Sequence, residues 1–224
     1  MPHASHLRAG RTAPPMKVRR LRRPRLLIVG CGDVGQRVVQ ALGGRWTVRA
    51  LTSQPDRADT LRALGITPLV GNLDAPATLR RLSALAPRVL HLAPPPSTGE
   101  DDPRTRHLLQ ALSRSDHRTC QRLVYGSTSG VYGDAGGARF DETRTVAPVN
   151  ARARRRVAAE SAVRDWAVAN DVNASVLRIP GIYADDRPGG HPRERLARGT
   201  AVLCADDDVY TNHIHADDLA RLCI

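Results

Sequence analysis

The 224-residue chain is poor in aromatic side chains and has no long apolar segment. Aromatic residues make up 3% of the sequence and hydrophobic residues 41%, so a core must consist of leucine, valine, alanine and isoleucine. No apolar run approaches the ~18 residues of a membrane-spanning helix, and the N-terminus lacks the apolar segment of a secretory signal. These absences predict a cytoplasmic protein with no membrane partner.

Paired cysteines are also absent. The four cysteines, at positions 31, 120, 204 and 223, contain no C-x-x-C pair. Cys31 lies inside a glycine-rich turn and Cys204 inside an apolar run, which is typical of reduced thiols in a cytoplasmic chain. We therefore predict free thiols and no disulfide framework.

Acidic residues are absent from the first 25 positions, which hold seven arginines, one lysine and four prolines. Subtracting these eight cations from the net charge of +12 leaves +4 for residues 26–224. We predict a basic, disordered tail over residues 1–24. Attachment to nucleic acid is one interpretation. We favour the other, in which Met16 is the true initiator, because the tail carries no aromatic residue or recognition motif.

The stretch Leu26–Gly35, LLIVGCGDVG, carries the clearest pattern that is present. Its four apolar residues predict a buried parallel strand, and apolar residues at helical spacing follow. Between them stand Gly30, Gly32 and Gly35 in the spacing G-x-G-x-x-G, which predicts a dinucleotide-binding turn in this context. The three glycines would permit a tight turn, the approach of a pyrophosphate and close packing of helix on strand. A glycine-rich turn without a ligand is the plain alternative.

Apolar strand-like segments alternate with helical ones along most of the chain. The predicted strands are Leu26–Val29, Trp46–Leu51, Ile66–Val70, Arg88–Leu92, Arg122–Tyr125 and Ala174–Arg178, and the predicted helices after the first are Pro55–Leu64, Ala75–Leu85, Pro103–Leu112 and Val149–Ala169. This alternation predicts the α/β class, with a doubly wound parallel sheet (Rossmann fold) and helices on both faces. Ligands of such sheets bind beyond the carboxyl ends of the strands.

The order of motifs resembles the extended or atypical branch of the short-chain dehydrogenase/reductase superfamily, the NAD(P)-dependent epimerases and dehydratases. The stretches that carry this resemblance are Gly30–Gly35, Gly71–Asp74, His91–Pro94, Ser127–Gly133, Glu142, Arg178–Tyr183 and Ile214–Ala220. The resemblance implies a dinucleotide-binding domain over residues 25–224 and a small C-terminal substrate lobe. Because the chain ends at Ile224, we expect that lobe to be truncated.

The resemblance also implies positions for a cofactor and for catalysis. The implied cofactor residues are Gly30, Gly32, Asp33, Val34, Gly35, Asn72, Leu73, Leu92, Ala93, Pro94, Arg156, Pro180 and Gly181. Thr128, four residues before Tyr132, falls on the catalytic serine or threonine of the family. The implied protein is an NAD(P)-binding oxidoreductase or epimerase that acts on a small or nucleotide-linked substrate.

One departure affects the chemistry, because the Tyr-x-x-x-Lys signature of the family falls on Arg152 and Arg156. A guanidinium keeps its proton at any working pH, so Arg152 cannot act as an acid or base. Arg156 can keep the electrostatic role of the lysine. We take Thr128, Tyr132 and Arg156 as catalytic candidates, with Tyr132 or Tyr183 as a phenol whose pKa a nearby Arg156 would lower. A catalytically silent dinucleotide-binding regulator or scaffold is the alternative.

The segment after the second predicted strand lacks the acidic residue that NAD-selective sites use to bind the ribose 2′-OH. Thr52 and Ser53 can donate hydrogen bonds there, and Arg57 can pair with a 2′-phosphate. We therefore predict NADP in preference to NAD. The other predicted partner is a small-molecule substrate. We predict no nucleic-acid partner, and a homodimer is possible.

The end of the chain holds a cluster of metal-ligand residue types: His213, His215, Asp217 and Asp218. The family resemblance requires no metal, and a regular strand is needed to place both histidines on one face. We therefore predict no metal site.

Overall fold

A computed structural model of the chain describes residues 23–114, 119–187, 189, 191–201, 204, 206 and 208–224. The predicted basic tail lies almost wholly outside these residues. The strands are β1 (Arg25–Val29), β2 (Thr47–Thr52), β3 (Thr67–Val70), β4 (Arg88–His91), β5 (Arg122–Thr128), β6 (Asn173–Ile179), β7 (Gly181–Tyr183) and β8 (His213–His215). The helices are α1 (Asp33–Leu42), α2 (Ala58–Ala63), α3 (Pro103–Leu112), α4 (Ala151–Asn170), α5 (Pro192–Ala197) and α6 (Ala216–Leu222).

The first six strands form one parallel sheet in the order β3-β2-β1-β4-β5-β6. At its centre Val29 of β1 stands between Leu51 of β2 and His91 of β4. The strand order reverses between β1 and β4, which opens a crevice at the carboxyl ends of these strands. The predicted doubly wound sheet is confirmed.

Helices cover both faces of the sheet because successive apolar side chains of each central strand point to opposite sides. Leu27 and Val29 join one buried cluster with α3 and α4. Leu26 and Ile28 join the other cluster with α1, α2 and α6. Within these layers α1 packs on α6 and α3 packs on α4. The helices thereby fix the positions of the loops at the sheet end.

The predicted helix Ala75–Leu85 is wrong, since the structure has only a short 3-10 turn at Pro76–Leu79 followed by further turns. Backbone bonds of the i to i+3 kind join Leu79 to Leu82 and Leu82 to Leu85. Leucines spaced by three match the 3.0 residues per turn of such a segment better than the 3.6 of an α-helix. Leu79 and Leu82 are nevertheless buried, as the pattern predicted.

A second, two-stranded sheet lies in the C-terminal part of the chain, where the resemblance implies a substrate lobe. Strands β7 and β8 pair in parallel, with Gly181 opposite His213 and Tyr183 opposite His215. Arg37 of α1 joins the first helix to this C-terminal part of the chain, because its guanidinium donates to Asp217 over 2.6 Å and to Asp186 over 2.5 Å. Among the residues described, no helix is both long and apolar enough to cross a membrane.

Candidate active site

The glycine turn between β1 and α1 is fixed by close backbone contacts. Gly30 has a φ of 89°, and a Cβ atom built on it would lie 2.6 Å from the Cα atom of Ala93 at the end of β4. The N–H of Gly32 donates to the carbonyl of Gly30 over 2.9 Å. A Cβ atom on Gly35 would lie 3.3 Å from Cys31 Sγ, so α1 begins directly against the end of β1. Packing therefore excludes a side chain at Gly30 and leaves little room for one at Gly35.

Gly32 differs from these two, because nothing lies within 4 Å of a Cβ atom built on it. It is the N-cap residue of α1, and no side chain caps this helix end. The free N–H groups and the positive end of the helix dipole therefore face open space, which is the arrangement that binds phosphates. The residues present fit the pyrophosphate of a dinucleotide.

The turn opens into a cleft of about 680 Å³ at the carboxyl ends of the strands. The cleft brings together ten of the predicted site residues: Gly30, Gly32, Asp33, Val34, Gly35, Leu92, Thr128, Arg156, Pro180 and Gly181. The lining also includes Asn150, Arg152 and Arg187, which the sequence did not place in a cofactor site. Residues from the first and last thirds of the chain thus share one cavity.

The predicted 2′-phosphate residues lie outside the lining of this cleft, near the glycine turn. Arg57 Nη2 donates to the carbonyl of Cys31 over 2.9 Å, which holds the guanidinium against the turn. The hydroxyl of Thr52 bonds locally to Gln54 over 3.2 Å, and Ser53 is exposed. A cation and an exposed hydroxyl therefore stand at the end of β2 that adjoins the turn.

Four predicted cofactor residues are likewise absent from the lining: Asn72, Leu73, Ala93 and Pro94. The side chain of Asn72 accepts from the N–H of Asp74 over 2.9 Å, and Leu73 is buried in the core. The N–H of Ala93 donates to the carbonyl of Val29 over 3.0 Å. These residues shape the loops after β3 and β4.

Arg156, one turn into α4, is a buried cation in the wall of the cleft. Its Nη1 donates to the hydroxyl of Tyr125 over 3.0 Å and to the carbonyl of Gly126 over 2.8 Å. Its Nε is buried and has no hydrogen-bond partner in the described part of the chain. Burial raises the pKa of Tyr125 above its usual value, although Arg156 acts in the opposite direction. The pair is therefore a neutral phenol beside a fixed positive charge.

His91 lies behind this pair, with its ring centre 5.3 Å from that of Tyr125. Burial, reinforced by the charge of Arg156, lowers the pKa of His91 to about 3, so the imidazole is neutral. Thr105 donates its hydroxyl proton to Asp102 over 2.7 Å, so His91 Nε2, 2.9 Å from the Thr105 oxygen, must be the donor there. Hydrogen bonds therefore link α3 to His91, and the ring of His91 packs against Tyr125, the phenol that Arg156 contacts.

Glu160, the next buried charge along α4, connects three elements. Its carboxylate accepts from Ser127 of β5 over 2.6 Å and from Arg178 of β6 over 2.8 Å. Arg164 adds a further bond of 2.9 Å. Burial would raise the pKa of Glu160, but the bonds from Arg178, Ser127 and Arg164 together hold it below its usual value. Glu160 is therefore a buried anion that fixes the end of β5, where Thr128 lies.

The two tyrosines predicted as acid/base candidates both lie outside the cleft lining. The hydroxyl of Tyr132 accepts from Arg178 over 2.7 Å, and its ring packs edge-on against Phe140. Tyr183 packs edge-on against His215, 5.3 Å between ring centres. Tyr132 or Tyr183 was expected to lie near Arg156, but the phenol that Arg156 contacts is that of Tyr125.

Sequence reasoning missed Tyr125 and Glu160 as supports of the site. Tyr125 ends an apolar run, a pattern that indicates only the end of a strand. Glu160 is the first acid in the arginine-rich helix α4, after four arginines. A carboxylate that follows four arginines in one helix could have signalled a buried ion pair. Within the described residues no group of three or more His, Cys, Asp or Glu side chains could hold a metal ion.

Solved structures share this architecture. A functionally unknown conserved protein from Silicibacter pomeroyi is 28% identical, with a TM-score of 0.68 over 89% of this chain and 66% of its own. A UDP-glucose 4-epimerase from Thermus thermophilus, in complex with NAD, is 20% identical, with a TM-score of 0.69 over 88% of this chain and 72% of its own. A dTDP-glucose 4,6-dehydratase from Streptomyces venezuelae, with NAD bound, is 20% identical, with a TM-score of 0.69 over 88% of this chain and 70% of its own.

No curated protein sequence matches the chain significantly. The model of one protein family, described as the NAD dependent epimerase/dehydratase family, matches residues 26–224. This match spans every strand and helix of the sheet from β1 to α6 except the first residue of β1. The chain therefore belongs to the NAD-dependent epimerase/dehydratase family of enzymes.

Proposed function

We propose that the chain binds NADP(H) in preference to NAD(H) and acts as an oxidoreductase or epimerase on a small or nucleotide-linked substrate. The observation that carries this proposal is the single cleft that joins the open N-terminus of α1 to Thr128 and Arg156. When bound, a nicotinamide dinucleotide supplies a centre that accepts and returns a hydride. The neighbours from T. thermophilus and S. venezuelae are described as NAD-bound enzymes of nucleotide-linked sugars, which supports this substrate class.

Each residue of the proposed site has a separate task. Gly32 leaves room for the pyrophosphate, and the N–H groups at the start of α1 donate to it. Arg156 presents a fixed positive charge for ribose hydroxyls, in the place of the family lysine. Thr128 donates a hydrogen bond to a substrate oxygen, since its Oγ1 already accepts from the N–H of Gly130. Tyr132 closes the 3-10 turn after Thr128 and, because its hydroxyl accepts from Arg178 outside the cleft, its task in the proposed catalytic set is to hold this turn in place.

The preference for NADP(H) rests on Arg57. Its guanidinium lies against the glycine turn, and the preceding residues 50–54 contain no carboxylate that would repel a 2′-phosphate. A charge-assisted bond to a phosphate contributes roughly tenfold or more in affinity. We therefore expect calorimetric titration of the full chain to give tighter binding of NADP(H) than of NAD(H).

The matched variants are Arg57→Ala and Arg62→Ala. Arg62 lies on the neighbouring helix α2 and pairs with Asp59 over 2.6 Å, away from the turn. We expect Arg57→Ala to weaken NADP(H) about tenfold and to leave NAD(H) nearly unchanged, whereas Arg62→Ala changes neither. Tighter binding of NAD(H) than of NADP(H) by the unaltered chain would contradict the proposal.

A specific observation favours a second function, a silent dinucleotide-binding regulator. No phenol is among the described residues that line the cleft, and Arg152 stands there instead. A turnover assay over carbonyl compounds and sugar nucleotides separates the two functions. If a substrate turns over and the variants Thr128→Val and Tyr132→Phe reduce the rate, the result supports the enzymatic function. Dinucleotide binding without turnover of any substrate supports the regulator.

A further inference from the structure

Arg152 differs from the other arginines in the first turns of α4. Arg154 pairs with Glu100 over 2.8 Å, Arg155 donates to the carbonyl of Gly99, and Arg156 donates to Tyr125. Arg152 has no hydrogen bond or ion pair with any described residue, and it is exposed and lines the cleft. Its neighbours hold the helix in place, whereas Arg152 is free to bind a ligand.

Two polar side chains that line the cleft with Arg152, those of Asn150 and Thr128, can donate hydrogen bonds. Asn150 accepts from the N–H of Ala153 through Oδ1, over 2.9 Å, which leaves both amide hydrogens to donate. Thr128 accepts from the N–H of Gly130 and retains its hydroxyl hydrogen. A guanidinium, an amide NH₂ and a hydroxyl together favour a ligand that only accepts, which is the property of an anion.

The charges that line the cleft point to the same ligand class. Asp33 is its only acidic residue among those described, and this carboxylate is engaged by Arg37 at 3.1 Å and by Arg187 at 3.6 Å. Arg156 and Arg152 therefore have no acidic counterpart in the lining. The proposed pyrophosphate position lies against the start of α1, whereas Arg152 belongs to α4. An anion at the α4 side must come from a different group.

We propose that Arg152 binds an anionic group of the substrate, a carboxylate or a phosphate, at the side of the cleft formed by Thr128 and Asn150. This inference rests on the proposed function for the identity of the cleft as a substrate site, but the anion site itself needs no dinucleotide. The planar guanidinium offers two parallel N–H donors, which match the two oxygens of such a group. Arg152 is thus a specificity-determining residue in the position where the family has an acid/base.

The test is a titration of the full chain with malonate and, separately, with inorganic phosphate, at constant ionic strength maintained with chloride. Binding is measured as the shift in thermal unfolding midpoint, with and without saturating dinucleotide. We expect Arg152→Gln to weaken binding of the effective anion about tenfold, since a hydrogen bond between charged groups is lost. Arg152→Lys should retain part of the affinity, because it keeps the charge but not the paired donors.

The matched control is Arg154→Gln, which removes a cation of the same helix turn that does not line the cleft. The shift in midpoint is expected with malonate, with phosphate or with both. Whichever anion gives the shift is the one bound, provided that Arg152→Gln removes the shift and Arg154→Gln keeps it. No shift with either anion, or an equal shift in Arg152→Gln, overturns the proposal. Dinucleotide affinity is measured on the same samples. A lack of dinucleotide binding would overturn the proposed function, whereas the anion site is judged only from the shifts with malonate and phosphate.

Discussion

At position 32 a side chain would enter the cleft, whereas at position 30 it would enter the backbone of the next strand. We therefore expect Gly32→Val to fold, with a loss of about 1 kcal/mol from a poor N-cap residue. Its side chain would fill the space that the pyrophosphate needs. Calorimetry should show no dinucleotide binding by a variant whose circular dichroism is unchanged. Unaltered affinity in the folded variant would reduce the glycine turn to a structural element.

The contrasting variant is Gly30→Ala. Its Cβ atom would overlap the backbone at Ala93, and its φ of 89° disfavours any side chain. We expect a loss of stability of about 3 kcal/mol or more, at the upper end of local backbone strain. Urea unfolding curves of the two variants, measured side by side, test this difference.

Glu160 is the residue on which the pH dependence of stability should centre. Glu160→Gln leaves Arg178, whose side chain is 13% exposed, without its buried anion, so we expect a loss of about 3 kcal/mol at neutral pH. Glu142→Gln is the control, because that exposed residue contacts Arg178 only through its backbone carbonyl. Chemical unfolding at pH 7 should separate the two variants clearly.

The sign of the pH effect follows from the lowered pKa of Glu160 in the folded chain. The stabilisation is complete above the unfolded value of about 4.3 and is lost as the pH falls through the folded value. The difference in unfolding free energy between wild type and Glu160→Gln should therefore narrow as the pH falls below about 4.3. A difference that stays constant down to pH 3 would assign the loss to packing.

At the scale of elements, helix α3 depends on a buried cap. Asp102 accepts from the N–H and the hydroxyl of Thr105, over 3.1 and 2.7 Å, and is only 1% exposed. We expect Asp102→Ala to cost about 2 kcal/mol, the upper range for an N-cap. Asp141 makes the same two kinds of bond to Thr143 but is exposed, so Asp141→Ala should leave the thermal midpoint nearly unchanged. Equal shifts for both would show that burial of the cap is unimportant.

The elements themselves follow from local patterns. Alternating strand and helix signals predicted the parallel sheet, since the period of apolar residues is a property of neighbouring positions. The helix prediction for residues 75–85 was wrong because leucines spaced by three, at positions 79, 82 and 85, also fit a run of 3-10 turns. Apolar spacing alone does not decide between the two when the segment is short.

The candidate site was predictable only where its residues carry a local motif. The glycine turn and Thr128 belong to such motifs. The pair of Arg156 with Tyr125 joins positions 31 residues apart, and Glu160 reaches Ser127 over 33. Such contacts depend on the order of the strands, which one sequence does not reveal. The acid/base candidates Tyr132 and Tyr183 both belong to such local motifs, and the structure pairs Tyr132 with Arg178 rather than with Arg156.

For the whole molecule, the charge of the chain is divided between two regions. The first 25 residues carry eight of the positive charges and no negative ones. Because no nucleic-acid partner is predicted, we expect any binding of the full chain to duplex DNA to be only the nonspecific attraction of these cations, weak at physiological salt and steeply salt-dependent. A version without residues 1–22 should lose this binding and keep its dinucleotide affinity and thermal midpoint. Sequence-selective binding that persists at physiological salt would contradict this prediction.

The pairing of β7 with β8 brings the two ends of the intervening segment, residues 184–212, side by side. A segment anchored in this way behaves as an insertion, because its length affects the free energy of the sheet only weakly, by about 0.6 kcal/mol for each doubling. Evolution can therefore exchange or enlarge this segment without disturbing the glycine turn or the order of the central strands. We therefore expect paralogues with this architecture to differ in length mainly over residues 184–212.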